Sequence, residues 1–586
     1  MKRGIVMKKL LSLALSLLMV LTLVPAVGIQ AFAEDTDFIY EIYDEYVIVT
    51  GYDGTVPENL VIPSKIEGLP VEEIGYDAFY SCEELKSVVI PDSVKYIESS
   101  AFSECSNLIS VTLSKNLEYI GSDAFYNSGL TSITVPDSVT SINSWAFESC
   151  VNLNKVKLSA NIEYLGVGIL DGTAYFNNKA NWENNALYVD NYLISTANCY
   201  WDDEDFEYVC KWQVSGDFKI KDGTKVIAVE AFYGNDKITS VTIPSSVTEI
   251  PECLFRSCTA LKTVNIPDTV TSIQEDAFSF CTSLKTITIP EKVTEISDYL
   301  FYNCTSLESI SLPGNIESIG CDSFYNTAFF NNKANWDKDN VLYIGKYLIS
   351  GVHFEFGYEE TVFDYAVSGD YTVKSGTKVI GEYAFWECDD LTGITIPSSV
   401  KNISYGMASN CDKLAFVSLP NSIESIDEEA FYNCPSLKTI TIPASVESIE
   451  DGAFLNCPNL KEITILSKDV DICYDSIGYY YEEIDDEEYG YEFRTVEGLV
   501  IKGYKGSTAE QYALDCGFEF SEIQTKLGDC NMDGSINGKD VLALRKYIVG
   551  FQVDIDLDAA DCTGDGKING KDVLQLRKAI VGLATL

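Results

Sequence analysis

The chain repeats one pattern of apolar and polar positions every 23 residues. In one copy, the alternating segment Val264-Asn-Ile266 is typical of a short strand, and Pro267 ends it because proline has no N–H to donate to a ladder. Val270 and Ile273 supply apolar side chains to the return, and Ala277-Phe278 follows them. No single copy can bury its apolar face alone. The pattern therefore predicts one stacked repeat solenoid rather than several globular domains.

The same residue types recur at the same phase along the chain. The series are Phe255, Phe278, Phe301 and Phe324; Pro244, Pro267, Pro290 and Pro313; and Cys258, Cys281 and Cys304. Such spacing predicts short parallel β-strands, one per repeat, connected by irregular or short helical returns.

Most of the 18 cysteines share one position of the repeat, three residues after its Phe or the equivalent residue. These are Cys82, Cys105, Cys150, Cys258, Cys281, Cys304, Cys388, Cys411, Cys434 and Cys457. Ser128, Asn235 and Thr327 replace cysteine elsewhere, so the position favours a small, weakly polar group. A metal site would need mixed ligands converging at one point. The spacing instead favours a buried ladder of reduced thiols whose S–H groups meet backbone carbonyls, with disulfides as the alternative.

The string Ile-Thr-Ile-Pro-x-x-Val-x-x-Ile followed by Ala-Phe-x-x-Cys stands nearly complete at residues 287–304 and 440–457. It resembles the BspA-like leucine-rich repeats of bacterial surface and secreted proteins, over roughly residues 60–480. The resemblance implies a leucine-rich repeat solenoid. Members of that family are mostly binding or adhesion scaffolds with varied ligands, so it implies little about the ligand here.

The segment Tyr175–Trp182 recurs as Phe329–Trp336, and each copy precedes a hairpin-like pair of apolar segments. A long unit has therefore been duplicated, with insertions near 171–222 and 325–375. Trp182 and Trp336 are either ligand platforms on protruding loops or plugs that pack each insertion onto the solenoid, and we favour the plug. We expect an N-terminal cap over 34–70, repeats over 71–477, an acidic exposed loop and C-terminal cap over 478–525, and a separate tail over 527–586.

The chain is strongly acidic, with a net charge of −48. Nucleic acids and anionic lipids need a basic surface, so neither is an expected partner. Residues 1–33 combine a basic start, an apolar run and a small-residue pattern, which predicts a signal peptide cleaved before Glu34, with a retained membrane anchor as the alternative. No later apolar run is long enough to span a bilayer. We therefore expect a secreted, extracellular protein without a membrane span.

The tail contains two similar loop–helix segments. Asp529–Asp540 precedes the apolar-periodic stretch 541–548, and Asp561–Asp572 precedes 573–580. Each loop has oxygen-bearing side chains at positions 1, 3, 5, 9 and 12 and glycine at position 6, which is the geometry of an EF-hand calcium loop. Position 12 is Asp rather than Glu, and only the exiting helix is evident. Two such units resemble the type I dockerin, a small all-α calcium-binding domain that binds cohesin modules of scaffoldins in cellulosome-like complexes.

Carried over residue by residue, the resemblance implies two calcium ions. The implied ligands are Asp529, Asn531, Asp533, Ser535, Asn537 and Asp540 for the first, and Asp561, Thr563, Asp565, Lys567, Asn569 and Asp572 for the second. Ser535 and Lys567 would ligate through their carbonyls, and Thr563 stands where Asp or Asn is usual. The implied cohesin contacts are Gly538, Lys539, Leu542, Arg545, Lys546, Gly570, Lys571, Leu574, Arg577 and Lys578. Several dockerins carry Ser-Thr in place of Gly538-Lys539, so the cohesin recognised stays open.

Catalytic chemistry has little support in the sequence. His353 is the sole histidine, and the matching first insertion has none, so a Ser-His-Asp or Cys-His arrangement is not indicated. With 89 Asp and Glu residues, the sequence still allows a carboxylate pair for glycoside hydrolysis. We therefore predict a non-catalytic binding or adhesion subunit attached to a cellulosome-like complex. Its repeat region would bind a polysaccharide or a cell-surface protein. The alternative is a carbohydrate-active enzyme or an accessory polysaccharide-degrading subunit.

Overall fold

The computed structural model describes residues 4–5, 37–202, 207–356, 361–483, 491–523, 526–531, 535–551, 553, 555 and 557–586. The chain forms two compact units, one of Met1–Val293 with Leu300–Ser311 and one of Thr294–Tyr299 with Leu312–Leu586. The predicted cleavage point before Glu34 lies outside the described residues, as does the predicted signal peptide apart from Gly4–Ile5. That dipeptide pairs antiparallel with Phe38–Ile42. In the described part of the chain, no helix is both long and apolar enough to cross a membrane.

Each repeat contributes two short strands, and each strand pairs in parallel with its equivalent 23 residues away. Thr286–Thr288 pairs with Ser309–Ser311 in one ladder. Glu249–Ile250 pairs with Ser272–Ile273 in the second. Alternating side chains of the three-residue strand point to opposite faces, so the central Ile287 is buried while its threonine neighbours are exposed. The predicted solenoid is confirmed, and the second ladder is an addition that the sequence pattern did not predict.

The first unit opens with the predicted hairpin, in which Phe38–Ile42 and Val47–Tyr52 pair antiparallel. The strands that follow are Asn59–Val61, Lys65–Ile66, Leu69–Ile74, Ser87–Val89, Tyr96–Ile97, Ser110–Thr112, Tyr119–Ile120, Ser132–Thr134, Ser141–Ile142, Lys155–Lys157, Tyr164–Leu165, Trp182–Glu183, Ala186–Val189, Tyr192–Ser195, Ala197–Asp202, Glu207–Gln213, Gly216–Lys219, Val226–Ile227, Ile238–Thr242, Glu249–Ile250, Thr263–Asn265, Ser272–Ile273, Thr286–Thr288 and Ser309–Ser311. A single turn of 3-10 helix spans Lys179–Asn181.

The second unit continues the same architecture. Its strands are Glu295–Ile296, Ser318–Ile319, Leu342–Ile344, Tyr347–Ser350, Val352–Phe356, Thr361–Ala366, Gly369–Thr372, Val379–Ile380, Leu391–Thr395, Asn402–Ile403, Phe416–Ser418, Ser425–Ile426, Thr439–Ile442, Ser448–Ile449, Glu462–Ile465, Asp471–Ile472, Tyr479–Glu483, Tyr491–Thr495, Val500–Gly503 and Glu519–Glu522. Its helices are Ala328–Asn331, the 3-10 turn Lys333–Asn335, Thr508–Cys516, Gly538–Ile548, Leu557–Ala560 and Gly570–Ile580.

The repeat phenylalanines form columns of stacked rings inside the solenoid. In the first unit, the ring centroids of Phe255 and Phe278 lie 5.3 Å apart, and those of Phe278 and Phe301 lie 5.6 Å apart. All three side chains are fully buried. Offset stacking of this kind adds to the free energy gained by burying the rings. Phe occupies this position in most repeats, with Ala408 as an exception.

The cysteine ladder has the predicted contacts. In eight rungs the thiol donates to the carbonyl of a residue 26 positions earlier, or 25 for Cys150, and this residue is the Phe of the preceding copy except at Cys434. The distances are 3.1 Å for Cys105–Phe79, 3.0 Å for Cys150–Phe125, 3.0 Å for Cys258–Phe232, 3.1 Å for Cys281–Phe255, 3.0 Å for Cys304–Phe278, 3.1 Å for Cys411–Phe385, 3.2 Å for Cys434–Ala408 and 3.3 Å for Cys457–Phe431. The Cys388 thiol instead lies 3.7 Å from the Gly351 carbonyl. Every cysteine whose side chain the structure describes is a free thiol.

The returns have a conformation that the sequence did not reveal. Asp276 and Phe280, on either side of Phe278, both have left-handed backbone with φ of 57° and 59°. In this return, the Phe278 N–H donates to Leu300 O at 3.1 Å, and the Phe280 N–H donates to Tyr302 O at 2.8 Å. These hydrogen bonds between rungs offset the strain of positive φ in residues other than glycine.

Each insertion contains two hairpins where the sequence predicted one. Ala186–Val189 pairs with Tyr192–Ser195 as expected, and the additional hairpin joins Ala197–Asp202 to Glu207–Gln213. The second insertion repeats this arrangement, its additional hairpin joining Val352–Phe356 to Thr361–Ala366.

The predicted acidic loop is wrong in part. Tyr479–Glu483 and Tyr491–Thr495 form an antiparallel pair, because Tyr479 is buried and stacks on Phe493 at 4.9 Å. Residues 484–490 of the predicted loop lie outside the described residues. The strand and helix expected in the C-terminal cap are present as Val500–Gly503 and Thr508–Cys516.

Candidate functional site

The second loop of the tail is organised around Asp572, its twelfth residue. Asp572 is fully buried, and its Oδ1 accepts from the Thr563 hydroxyl at 2.7 Å and from the Thr563 N–H at 3.0 Å. Its Oδ2 accepts from the Asn569 N–H at 2.9 Å, while Asn569 Oδ1 accepts from the Lys571 N–H at 2.9 Å. This reciprocal pair is a capping box that starts the helix Gly570–Ile580. Burial raises the pKa of Asp572, but hydrogen bonds from Thr563 and Asn569 outweigh it and keep that pKa below its usual value.

The start of the same loop is held by Asp561, its first residue. Asp561 Oδ1 accepts from the Asp565 N–H at 3.1 Å, and Oδ2 accepts from the Gly566 N–H at 2.7 Å. Gly566, at position 6, has φ of +74°, a conformation that glycine adopts without a steric penalty. The Lys567 carbonyl lies 3.0 Å from the Asn569 side-chain amide. The loop therefore makes the tight turn that a calcium-binding loop requires.

The first loop repeats these contacts where the structure describes it. Asp540 is fully buried, and its two oxygens accept from the Asn531 N–H at 3.2 Å and the Asn537 N–H at 2.7 Å. A second capping box starts the helix Gly538–Ile548. Asp529 is also buried. Asp533, the predicted ligand at position 5, lies outside the described residues.

The donor set of the two loops fits a hard divalent cation. Carboxylate, amide and carbonyl oxygens are the ligands that Ca²⁺ prefers in proteins. Over the described residues, no three His, Cys, Asp or Glu side chains are grouped closely enough to hold a metal. The predicted set, however, also draws on amide, hydroxyl and carbonyl oxygens of Asn531, Asn569, Thr563 and Lys567.

The two helices pack on each other and leave equivalent faces exposed. Leu544 and Leu576 are buried in a small core with Cys530, Ile555, Ala560 and Cys562. All ten residues predicted to contact cohesin are exposed: Gly538, Lys539, Leu542, Arg545, Lys546, Gly570, Lys571, Leu574, Arg577 and Lys578. The side chains of Leu542 and Leu574 are 53% and 54% exposed, so the two helices present an apolar side chain to solvent at equivalent places.

Sequence reasoning missed a second exposed apolar pair at the ends of these helices. Val549 and Phe551 follow the first helix, and Val581 and Leu583 occupy the same places after the second. All four are more than half exposed. The 32-residue repeat could have revealed them, because apolar side chains recur there at positions outside the helical core pattern.

The structure buries both tryptophans that were considered as ligand platforms. Trp182 and Trp336 are 7% and 6% exposed. Each indole N–H donates at 2.7 Å to a backbone carbonyl, of Phe176 and Phe330 respectively. A buried ring cannot present its face to a ligand, so their placement favours the plug interpretation over the platform.

His353 is likewise part of the packing of the second insertion. Its ring is buried, stacks on Tyr365 at 4.7 Å, and places Nδ1 3.0 Å from Asp364 Oδ2. The matching residue of the first insertion is the buried Asn198. A position occupied by either side chain inside the same hairpin indicates a structural role.

Comparison with known families identifies two regions. The family described as "BspA type Leucine rich repeat region" matches residues 72–198, 218–352 and 359–480, in 6 copies. The family described as "Dockerin type I domain" matches residues 527–581. Type I dockerin domains bind calcium. Neither family is a catalytic kind.

Solved structures of bacterial leucine-rich repeat proteins are similar to this chain. A leucine rich cell surface protein from Faecalibacterium prausnitzii is 24% identical, covering 74% of this chain and 87% of that one, with a TM-score of 0.22. A leucine-rich repeat protein from Bacteroides ovatus is 20% identical, covering 83% and 98%, with a TM-score of 0.24. The T. pallidum protein TpLRR is 24% identical, covering 42% and 88%, with a TM-score of 0.23.

The TM-scores of these superpositions are all below 0.5, so the solved structures are reported as similar and support no further argument. No curated protein matches the chain. The family assignment rests on the repeat match, which extends over more than half of the sequence. The chain belongs to the BspA-type leucine-rich repeat proteins and carries a type I dockerin domain at its C-terminus.

Proposed function

We propose that this protein is a secreted, non-catalytic binding subunit that docks through residues 527–586 onto a cohesin module of a scaffoldin. The observation that carries the proposal is the duplicated exposed face of the two dockerin helices. Leu542 and Leu574 project from equivalent places, with the basic pairs Arg545-Lys546 and Arg577-Lys578 beside them. Secretion is supported by the basic and apolar pattern of residues 1–33.

Two calcium ions hold this face in shape. Asp529, Asn531, Asp533, Asn537 and Asp540 would bind the first ion, together with the Ser535 carbonyl. The second would be held by Asp561, Thr563, Asp565, Asn569 and Asp572, together with the Lys567 carbonyl. Each twelfth-position Asp also caps its helix, so filling the loop and starting the helix are coupled. Calcium binding therefore contributes to the folding free energy of the domain.

The charge of the contact face supports a cohesin partner with an acidic surface. Basic side chains are scarce in this chain, yet each dockerin helix ends on an exposed Arg-Lys pair. Complementary charge speeds association and fixes orientation more than it adds affinity. Because both helices carry the same residues at these places, the domain can bind in two orientations. The exposed pairs Val549-Phe551 and Val581-Leu583 extend the apolar part of the face.

The repeat region supplies the second binding surface. Its surface is acidic and rich in tyrosine, and the hydrophobic columns are fully used inside the fold. Tyrosine can stack on sugars and also suits protein partners, so the ligand class is a polysaccharide or a cell-surface protein. A glycan array and a pull-down with the full-length protein distinguish the two.

The docking proposal is tested by measuring the affinity of the full-length protein for a type I cohesin, with calcium and after chelation. Leu542→Ala combined with Leu574→Ala removes both equivalent apolar contacts while keeping the loops intact. Each single variant leaves one orientation available, so we expect it to lose little affinity, while the double variant loses at least about tenfold. Equal losses in single and double variants would contradict binding in two orientations.

A further inference from the structure

A cavity of about 370 Å³ opens in the second unit beside the base of the second insertion. Its walls are largely aromatic. Tyr325 stacks on Phe354 with centroids 5.0 Å apart, and Phe354 meets Trp386 edge to face at 5.6 Å. Tyr299 and Tyr383 line it as well. A concave, mostly apolar site of this size with a few polar groups is typical of small-molecule binding.

The charged groups that line the cavity are all acidic. Asp322 and Glu382 face it, and none of the described residues that line it is Lys or Arg. Within the described part of the chain, neither carboxylate forms an ion pair with a basic side chain. The neighbouring Asp298 adds a further negative charge and accepts from the Cys321 N–H at 2.8 Å. An anionic ligand would be repelled by this site.

Keeping Asp322 and Glu382 ionised without a positive partner costs free energy, because both carboxylates are largely removed from water. Burial, with repulsion from Asp298, raises the pKa of Asp322 to about 6. Burial and the same repulsion raise the pKa of Glu382 to about 7, which a hydrogen bond from Cys321 only partly offsets. The pKa of Tyr299 is raised too, by Cys321 and by burial, so its hydroxyl stays neutral. A bound cation would relieve the repulsion between the carboxylates.

The duplicated first copy provides an internal comparison. The segments Phe329–Trp336 and Tyr175–Trp182 correspond in the two copies. Continuing this alignment towards the N-terminus places Asp322 at the position of Gly168. Both have left-handed backbone, with φ of 49° and 62°. Extending the match of the re-entry segments pairs Glu382 with Val229. The first copy folds without either carboxylate, so neither is required at these two places, although acidic residues recur at the same phase of other repeats, as at Asp276 and Glu275.

We propose that this cavity binds a small organic cation, an amine or a quaternary ammonium, whose alkyl groups contact the rings of Phe354, Tyr325 and Trp386 while Asp322 and Glu382 balance its charge. Aromatic faces attract cations through their quadrupole, and the attraction is strongest where water is excluded. This site is independent of the dockerin, so its failure would leave the docking proposal untouched.

The test measures binding of tetramethylammonium to the full-length protein by calorimetry and ligand-observed NMR, with neutral tert-butanol as the uncharged probe of similar shape. We expect tert-butanol to bind at least about tenfold more weakly. Asp322→Gly and Glu382→Val, which install the residues of the first copy, should each weaken tetramethylammonium by about tenfold. Affinity should also fall between pH 8 and pH 5, because protonation removes the balancing charge.

Glu148→Gln is the matched control. Burial also raises the pKa of Glu148 to about 7, but it lies in the first unit, so removing its charge should leave the affinity unchanged. Circular dichroism and hydrogen exchange of the repeat amides show whether the Asp322 and Glu382 variants are folded. The proposal is overturned if tert-butanol binds as well as tetramethylammonium or if the two variants bind normally. Stronger binding of a neutral sugar such as cellobiose, lost with Phe354→Ala, would equally overturn it.

Discussion

Replacing Phe278 by alanine removes one ring from the middle of a stacked column in the first unit. The side chain is fully buried, with neighbouring ring centroids at 5.3 and 5.6 Å on its two sides. Phe→Ala substitutions in cores cost about 3–5 kcal/mol, of which each lost ring pair accounts for about 0.5–1.5 kcal/mol. Because each rung contacts only its neighbours, we expect the loss to be concentrated in the rungs of Phe255 and Phe301.

Hydrogen exchange followed by mass spectrometry reads this effect rung by rung. At about 1.4 kcal/mol per factor of ten, a loss of 3 kcal/mol makes local opening at least about a hundredfold more frequent. Amides between residues 255 and 301, including the N–H of Phe278 that donates to Leu300 O, should therefore exchange faster. Phe416→Ala, at a side chain that is 56% exposed, is the control and should change little. Unchanged exchange around Phe278, or equal acceleration along the whole chain, would refute the nearest-neighbour account.

Three further outcomes are expected. The folded protein holds the pKa of Glu148 at about 7, through burial and repulsion from Asp171, so stability is lost as pH rises from about 5 towards 7. Glu148→Gln should therefore raise the unfolding free energy near pH 8 by about 1–2 kcal/mol, allowing for solvent screening, and change little near pH 4 in urea titrations; an equal gain at both pH values would contradict this. Trp336→Phe should cost about 1–3 kcal/mol by leaving the Phe330 carbonyl without its donor, whereas Trp145→Phe, at an exposed site, should be neutral. Iodoacetamide should leave Cys281 unmodified until urea is added, because burial raises its pKa and excludes the reagent; labelling of Cys281 in the native protein, located by mass spectrometry, would contradict the buried thiol ladder.

The 23-residue period predicted the solenoid, the cysteine contacts and the Phe column, because each depends on the same position meeting its equivalent in the next copy. Backbone conformation was only partly predictable in this way. Left-handed backbone recurs at the positions of Asp276 and Phe280, which other repeats fill with Asp77, Asp123, Asn303 and Asn433, and Asp and Asn favour it. Phe280 itself carries no such signal and is stabilised by the hydrogen bond from its N–H to Tyr302 O in the following rung.

The two candidate sites differ in how far sequence could predict them. The dockerin loops are local, so spacing alone placed Asp540 and Asp572 at the helix starts that the structure shows. The cavity brings together Asp322 and Glu382 across the second insertion. Their juxtaposition depends on how the insertion returns to the solenoid, which residue patterns do not encode. The exposed faces of the dockerin helices were predicted through the resemblance to type I dockerins, which implied Leu542 and Leu574 as contacts.

The most direct test of the account is the calcium dependence of cohesin binding by the full-length protein. We expect binding to a type I cohesin in calcium and its loss on chelation, with recovery when calcium is restored. Asp540→Ala combined with Asp572→Ala should abolish binding even in calcium, because both residues cap their helices as well as completing their loops. Cohesin affinity that is unchanged by chelation, or retained in this double variant, would contradict a dockerin that is folded by calcium and docks onto cohesin.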